Sequence, residues 1–273
     1  MARIPRVLSI AGTDPTGGAG IQADLKSIAA AGGFGMCVVT ALVAQNTQGV
    51  REIHTPPQSF LRAQLDAVFD DVTVDAVKIG MLGDVDTTTT VSDFLASHDV
   101  PVVVVDPVMV ATSGDRLLTE DAEEALRGLI RDHATVVTPN IPELAVLTGE
   151  DPAATFEEAL EQGRCYAADA DVAVLVKGGH LTGEHASNAL VTPSGDVHTA
   201  EVPRVSTKNT HGTGCSLSSA LATRLVTDSD IAAVEWASDW LHEAIAHADE
   251  LEVGQGHGPV HHFHRLYRLA DGV

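Results

Sequence analysis

Lysine is almost missing from this chain: 273 residues contain only Lys26, Lys78, Lys177 and Lys208. Basic residues number 16 against 38 acidic ones, giving a net charge of -22. Nucleic-acid binding needs basic patches that displace counterions from phosphates, so no nucleic acid is expected as a partner. Aromatic residues make up only 4%. The core must be filled by small aliphatics, as in buried parallel sheets covered by helices. The three cysteines (Cys37, Cys165, Cys215) are far apart and odd in number. They form neither a disulfide framework nor a CxxC metal pair, which suits a reducing cytoplasm. No apolar run approaches membrane-spanning length, and the N-terminus lacks a signal-like apolar segment, so no membrane role is expected. Acidic surplus with scarce lysine predicts a halophilic protein, soluble where salt screens self-repulsion. An ordinary acidic cytosolic protein is the alternative.

What is present is an alternation of short apolar runs and helical patterns. Val7–Ala11, Met36–Val43, Ala76–Ile79, Val102–Val105, Val136-Val137 and Val172–Val176 read as strands. Helices are expected over Ile21–Ala31 and Ile231–Ala248, and on the stripes Leu61/Leu65/Val68/Phe69, Ala122/Ala125/Leu126/Leu129/Ile130 and Leu217/Ala220/Leu221/Leu225. Thr155 and Glu158 form a capping box. Strand–helix alternation without a linker or repeat predicts one doubly wound α/β domain over residues 1–273. Ligands of such sheets bind beyond the strand carboxyl ends. Asp14, Gln45, Asp106, Asn140 and Lys177 are all expected there.

The segment Asn209-Thr210-His211-Gly212-Thr213-Gly214-Cys215 precedes a helical stripe. A Gly-rich turn at a helix start gathers backbone N–H groups and the positive helix pole, which favours an anion. The same place lowers a thiol's pKa, so Cys215 is a candidate base, although free cysteine is more often a buried hydrophobe. Asp106 and Glu143 are a candidate Mg²⁺ pair acting partly through water. Each also has a structural reading, as a turn former and a helix-start acid. In a lysine-poor chain, Lys177 and Lys208 are candidates for contacts to nucleotide phosphates. Gly17-Gly18-Ala19-Gly20 is neither a dinucleotide nor a Walker motif. It reads as a phosphate cradle, a substrate loop or a flexible connection. His257, His261, His262 and His264 read as a structural tail, because no cysteine or acid is interleaved to close a metal site.

Together these motifs resemble the hydroxymethylpyrimidine/phosphomethylpyrimidine kinases of thiamine biosynthesis. The resemblance runs through Ser9–Pro15, Gly17–Lys26, Thr40–Thr47, Lys78–Leu82, Asp106–Met109, Thr112–Asp115, Thr138–Asn140 with Glu143, Val176–His180, the heptapeptide and Gly258–Phe263. It implies a ribokinase-like fold with a mostly parallel central sheet flanked by helices on both faces. It further implies two successive phosphorylations of 4-amino-5-hydroxymethyl-2-methylpyrimidine, to the monophosphate and then the diphosphate. ATP with Mg²⁺ would be the donor, and a monovalent cation and a homodimer are consistent with the family. The resemblance puts Gly12, Asp24, Val43, Gln45, Met81 and Val108 around the pyrimidine. It puts Asn140, Lys177, Lys208 and Thr210 near ATP, and Asp106 and Glu143 near the metal. Gly212, Thr213 and Gly214 would form the anion hole, with Cys215 as the base of the first step. Many ribokinase relatives carry aspartate at that position. Some members of the family continue into a further C-terminal domain, which this chain is too short to include. The alternatives are a pyridoxal kinase on the same scaffold and a non-catalytic pyrimidine-binding regulator.

Overall fold

Alternate residues of each central strand enter two different cores. On β1 (Arg6–Ala11), Leu8 and Ile10 face one side and Val7 the other. On β6 (Val102–Val105), Val103 and Val105 oppose Val104. The same division holds for Val174 and Val176 against Leu175 on β8 (Ala173–Lys177). Side chains alternate along a strand, so a sheet with apolar residues on both faces must be covered twice.

The computed structural model describes residues 3–109 and 118–271. Its remaining strands are β2 (Phe34–Val39), β3 (Leu42–Asn46), β4 (Gly49–His54), β5 (Ala76–Ile79), β7 (Val136–Val137), β9 (Asn188–Val191) and β10 (Val197–Ala200). Eight of the strands form one sheet in the order β10-β9-β8-β7-β6-β5-β1-β2. It is parallel from β2 to β8 and antiparallel at β9 and β10. One face packs on α1 (Gly20–Ala30), α7 (Thr213–Leu225) and α8 (Asp230–Ala246). The other carries α2 (Gln58–Phe69), α3 (Val85–Leu95), α4 (Glu120–His133), α5 (Ile141–Thr148) and α6 (Phe156–Ala170). A final helix, α9, spans His264–Asp271. The Thr155/Glu158 capping box is present at α6.

One expected strand is broken. Met36–Val43 divides at Thr40 and Ala41 into β2, inside the main sheet, and β3, which pairs only with β4. Thr40 donates its N–H to Ala11 O and its hydroxyl to Met81 O. These bonds stop the strand and turn the chain outward into a hairpin, so Val43 and Gln45 stand on a flap.

Candidate active site

The strand order reverses between β1 and β5, a topological switch point of the kind where α/β sheets open a crevice. Gly12 immediately follows β1, and Met81 lies two residues past β5. A Cβ on Gly12 would stand 2.7 Å from Met81 Cε and 3.7 Å from Val43 Cγ2. The glycine thus permits Met81 and the flap to close on the crevice. Thr13 Oγ1 fixes the flap by accepting the Val43 N–H at 2.9 Å. Gln45 sits beside the bulge between Ala44 and Gln45, and half-buried Val108 follows Asp106 on the adjoining strand end. Five of the six pyrimidine positions named from the sequence therefore lie on segments at this crevice or its flap.

Asp24 does not. Its side chain is wholly enclosed under α1. It accepts from Ser9 Oγ at 2.6 Å, Ser219 Oγ at 2.8 Å and Lys78 Nζ at 2.9 and 3.0 Å. A carboxylate with these partners has no free face for a pyrimidine, which corrects the assignment made by resemblance. Ser9 and Lys78 are register partners on β1 and β5, and both point to the α1/α7 side. Sequence alone gives Lys78 no site role, although the scarcity that singles out Lys177 and Lys208 applies equally to it. Burial lowers its pKa, but Asp24, followed by Cys215 and Asp106, raises it above an ordinary lysine.

The Gly-rich loop after β1 is not a phosphate cradle. Asp14, wholly buried, accepts the N–H groups of Thr16, Gly18 and Ala19. Gly17 N–H goes to Asp14 O, and Ile21 N–H to Gly12 O. The loop encloses its own anion. Neither is it a flexible connection, since its amides are committed.

The heptapeptide behaves differently. Gly212 caps α7 with φ +80°, a left-handed conformation suited to glycine. Thr213 N–H reaches Thr210 O at 3.3 Å. Among the described residues, the Gly214 and Cys215 amides find no acceptor in the protein. Two open N–H groups at the start of a 13-residue helix form an anion site. Asp106 and Lys177 border it: a Cβ on Gly214 would stand 3.3 Å from Asp106 Oδ2 and 3.4 Å from Lys177 Nζ.

Cys215 is the third residue of α7 and half-buried. Its thiol is not acidified. Burial pushes it up to about 11; Lys78 and the Gly20 N–H pull down, while Asp24 and Asp106 push up. Desolvation outweighs the helix pole, so the expected resting thiolate is corrected to a neutral thiol.

Lys177, at the end of β8, donates to Asp106 Oδ1 at 2.9 Å and lies 3.7 Å from Glu143 Oε2. Thr138, to which the sequence motif assigns no role of its own, donates to the same Asp106 oxygen at 3.2 Å. Burial pushes Asp106 up, but Lys177 and Lys78 overcome this and hold it below the usual carboxylate range. Burial pushes Glu143 up to about 7 despite Lys177. Asn140 and Glu143 make a reciprocal capping box on α5, so Glu143 serves both the helix start and the cluster. Among the described residues no three metal-ligating side chains converge. A closed metal cage is thus not available, but two carboxylates fit Mg²⁺ that keeps waters and phosphate oxygens as its other ligands.

Lys208 and Thr210 are exposed on the segment before α7. Their backbone carbonyls hold His257 and Thr213. His261, His262 and His264 are buried, His262 against Ser216 Oγ at 3.0 Å and His264 against Glu243 at 2.8 Å. They pack the chain's end onto α7 and α8. The Thr112–Asp115 motif lies outside the described residues.

Anion turn, acidic pair and crevice thus share one end of the sheet. The family model for phosphomethylpyrimidine kinase matches residues 14–261. The chain belongs to the phosphomethylpyrimidine kinase family. It is 62% identical to the thiamine biosynthesis multifunctional protein ThiED of Corynebacterium glutamicum over 98% of its own length, spanning 35% of that relative. It is 49% identical to the hydroxymethylpyrimidine/phosphomethylpyrimidine kinase of Escherichia coli, with 97% of this chain and 99% of that one covered. Its fold is ribokinase-like, with a TM-score of 0.87 to an ADP complex of Bacillus subtilis pyridoxal kinase at 31% identity, covering 96% and 98% of the two chains.

No helix among the described residues of this family member is long and apolar enough to cross a membrane.

Proposed function

We propose that this chain is one kinase domain, phosphorylating 4-amino-5-hydroxymethyl-2-methylpyrimidine and then its monophosphate, with ATP and Mg²⁺, in the cytoplasm. The observation that carries this reading is the placement of Gly214, whose amide like that of Cys215 finds no acceptor among the described residues, directly beside the Asp106–Lys177 pair. Phosphoryl transfer is mainly positioning and charge stabilisation, and these groups supply both.

The pyrimidine lies in the crevice against Gly12, Val43, Met81 and Val108, with Gln45 reaching its polar edge from the flap. Its hydroxymethyl group faces the anion turn. The transferring phosphoryl sits on the Gly212–Cys215 turn, and Lys177 neutralises its charge. Asn140, Lys208 and Thr210 border the nucleotide. Asp106 and Glu143 would hold Mg²⁺, and the ion would supply further charge neutralisation to the phosphates. In the first step the hydroxymethyl oxygen bonds to the γ-phosphorus as the bond to ADP breaks, and its proton passes to Cys215. A neutral thiol cannot accept a proton, so the minor thiolate form is the working base. In the second step an ionised phosphate oxygen attacks and no base is needed.

A mass-resolved product assay with purified protein, scoring mono- and diphosphate separately, tests this reading. Accumulation of both supports it; binding without turnover would instead support a silent regulator. Pyridoxal kinase is the second reading, favoured by the TM-score of 0.87 to the Bacillus subtilis enzyme. Preference for pyridoxal in the same assay would establish it. A homodimer, a monovalent-cation requirement and halophilic behaviour belong to this proposal, as does the absence of nucleic acid as partner.

A further inference from the structure

We propose that Asp14 and His211 form a positioning clasp that locks the Gly-rich loop against the anion turn, and that both phosphoryl transfers depend on it. The transfer part of this proposal rests on the kinase reading above.

Asp14 Oδ1 accepts the Thr16 N–H at 2.9 Å and the Thr16 hydroxyl at 2.7 Å. Its Oδ2 accepts Gly18 N–H at 3.1 Å, Ala19 N–H at 2.8 Å and His211 Nε2 at 2.9 Å. Four of the five donors belong to the loop. The fifth comes from the residue preceding the cap of α7, far along the chain. Burial alone would raise the Asp14 pKa, but His211, Thr16 and Ala19 hold it well below the carboxylate range.

A Cβ on Gly212 would lie 1.7 Å from Gly18 O. One on Gly18 would lie 2.6 Å from His211 Cδ2 and 3.0 Å from Pro259 Cβ. Two backbones therefore touch with no room for a side chain, and the histidine ring bridges them. The ring's own backbone is held from behind, where His211 N–H donates to Gly258 O at 3.0 Å.

Both ends of the clasped loop enter the site. Gly12 forms the crevice wall and is tied to Ile21 N–H. At the other end, the Gly20 N–H lowers the pKa of the Cys215 thiol. Releasing Asp14 from His211 would let the crevice wall and the thiol's donor drift from the anion turn. His211 is accordingly a positioning residue, not a catalytic one. A misplacement on the order of 1 Å costs about a hundredfold in rate when reacting groups must align.

The test compares His211→Leu, His211→Gln and Gly18→Ala with the unmodified chain. Glutamine keeps an N–H donor near the Nε2 position; leucine keeps only bulk. Steady-state kinetics of both phosphorylations are measured, with hydrogen exchange of the Gly18 and Ala19 amides as a readout independent of activity. Expected for His211→Leu is a loss of about tenfold to a hundredfold in kcat at both steps. Exchange at Gly18 and Ala19 should accelerate about tenfold or more as the loop opens locally. His211→Gln should restore most of both, and Gly18→Ala, which pushes the loop off the ring, should reproduce the leucine defect. Unchanged amide exchange in His211→Leu would overturn the clasp, as would a glutamine variant as slow as the leucine one. If His211→Leu does not fold, the contrast between His211→Gln and Gly18→Ala decides by the same criteria. An unmodified chain inactive on the pyrimidine, whose loop amides nonetheless lose protection in His211→Leu, would overturn the kinase reading while supporting the clasp.

Discussion

Nζ of Lys78 lies 2.9 and 3.0 Å from the two carboxylate oxygens of Asp24, and both side chains are wholly enclosed between the sheet and α1 and α7. Ser219, which shares the Asp24 carboxylate, is one helical turn beyond Cys215 on α7. The pair thus anchors the helix whose first turn binds the anion. Removing one partner of a buried pair strands the other charge. Lys78→Met is therefore expected to destabilise the fold by about 3–5 kcal/mol in urea unfolding, with much of the loss recovered in Lys78→Met/Asp24→Leu. A single variant as stable as the parent would refute this anchoring role.

The two halves of the pair act on the Cys215 thiol with opposite signs. Lys78 pulls its pKa down and Asp24 pushes it up. In variants that remain folded, Lys78→Met should move the pH dependence of Cys215 alkylation above about 11, and Asp24→Asn should move it below. Shifts in the same direction would mean that both substitutions act only by loosening α7.

A base with a pKa of about 11 is scarce at neutral pH, and its fraction rises tenfold with each pH unit below that value. The ratio of the first to the second phosphorylation rate should therefore climb with pH through the neutral and mildly alkaline range, since the titration of Glu143 at about 7 bears on both steps alike. Cys215→Ala should impair the first step far more than the second and abolish the slope of that ratio. Equal losses at both steps would leave Cys215 as a supplier of a backbone amide only.

Glu143 titrates in the opposite sense to a salt-bridged acid. Its folded pKa is raised from 4.5 to about 7, so its protonated form is favoured in the fold. The resulting destabilisation is absent below pH 4.5 and complete above about 7. Without nucleotide or metal, Glu143→Gln should be more stable than the parent at pH 8, and the gain should vanish at pH 4. A gain of equal size at both pH values would exclude this titration as its cause.

With a net charge of -22, self-repulsion opposes compaction in dilute buffer. The melting temperature should rise steeply from low to molar KCl. A flat profile, with full stability in dilute buffer, would remove the halophilic reading.

Much of the fold was legible because its signals are local. The four valines at Val102–Val105 coincide with β6, since strands buried on both faces leave uninterrupted apolar runs, and Ala76–Ile79 coincides with β5 although Lys78 interrupts its apolar pattern. Thr155 and Glu158 mark α6 through bonds only three residues apart. The flap was not legible, because the bonds that stop β2 join Thr40 to Ala11 and Met81, and a sequence window contains only one partner of each.

By itself the sequence determined the α/β architecture, the helix start at Gly212–Cys215 and, through its ordered motifs, the family. Periodicity, capping and glycine spacing act over a few residues and can be read directly. Only the tertiary structure decided how the charges are shared. It gave Asp24 to Lys78 rather than to a ligand, filled the Gly-rich loop with the carboxylate of Asp14, and left the thiol of Cys215 neutral. The reason is that pairing and desolvation depend on which segments meet in space: Ser9, Asp24, Lys78 and Ser219 come from four different elements.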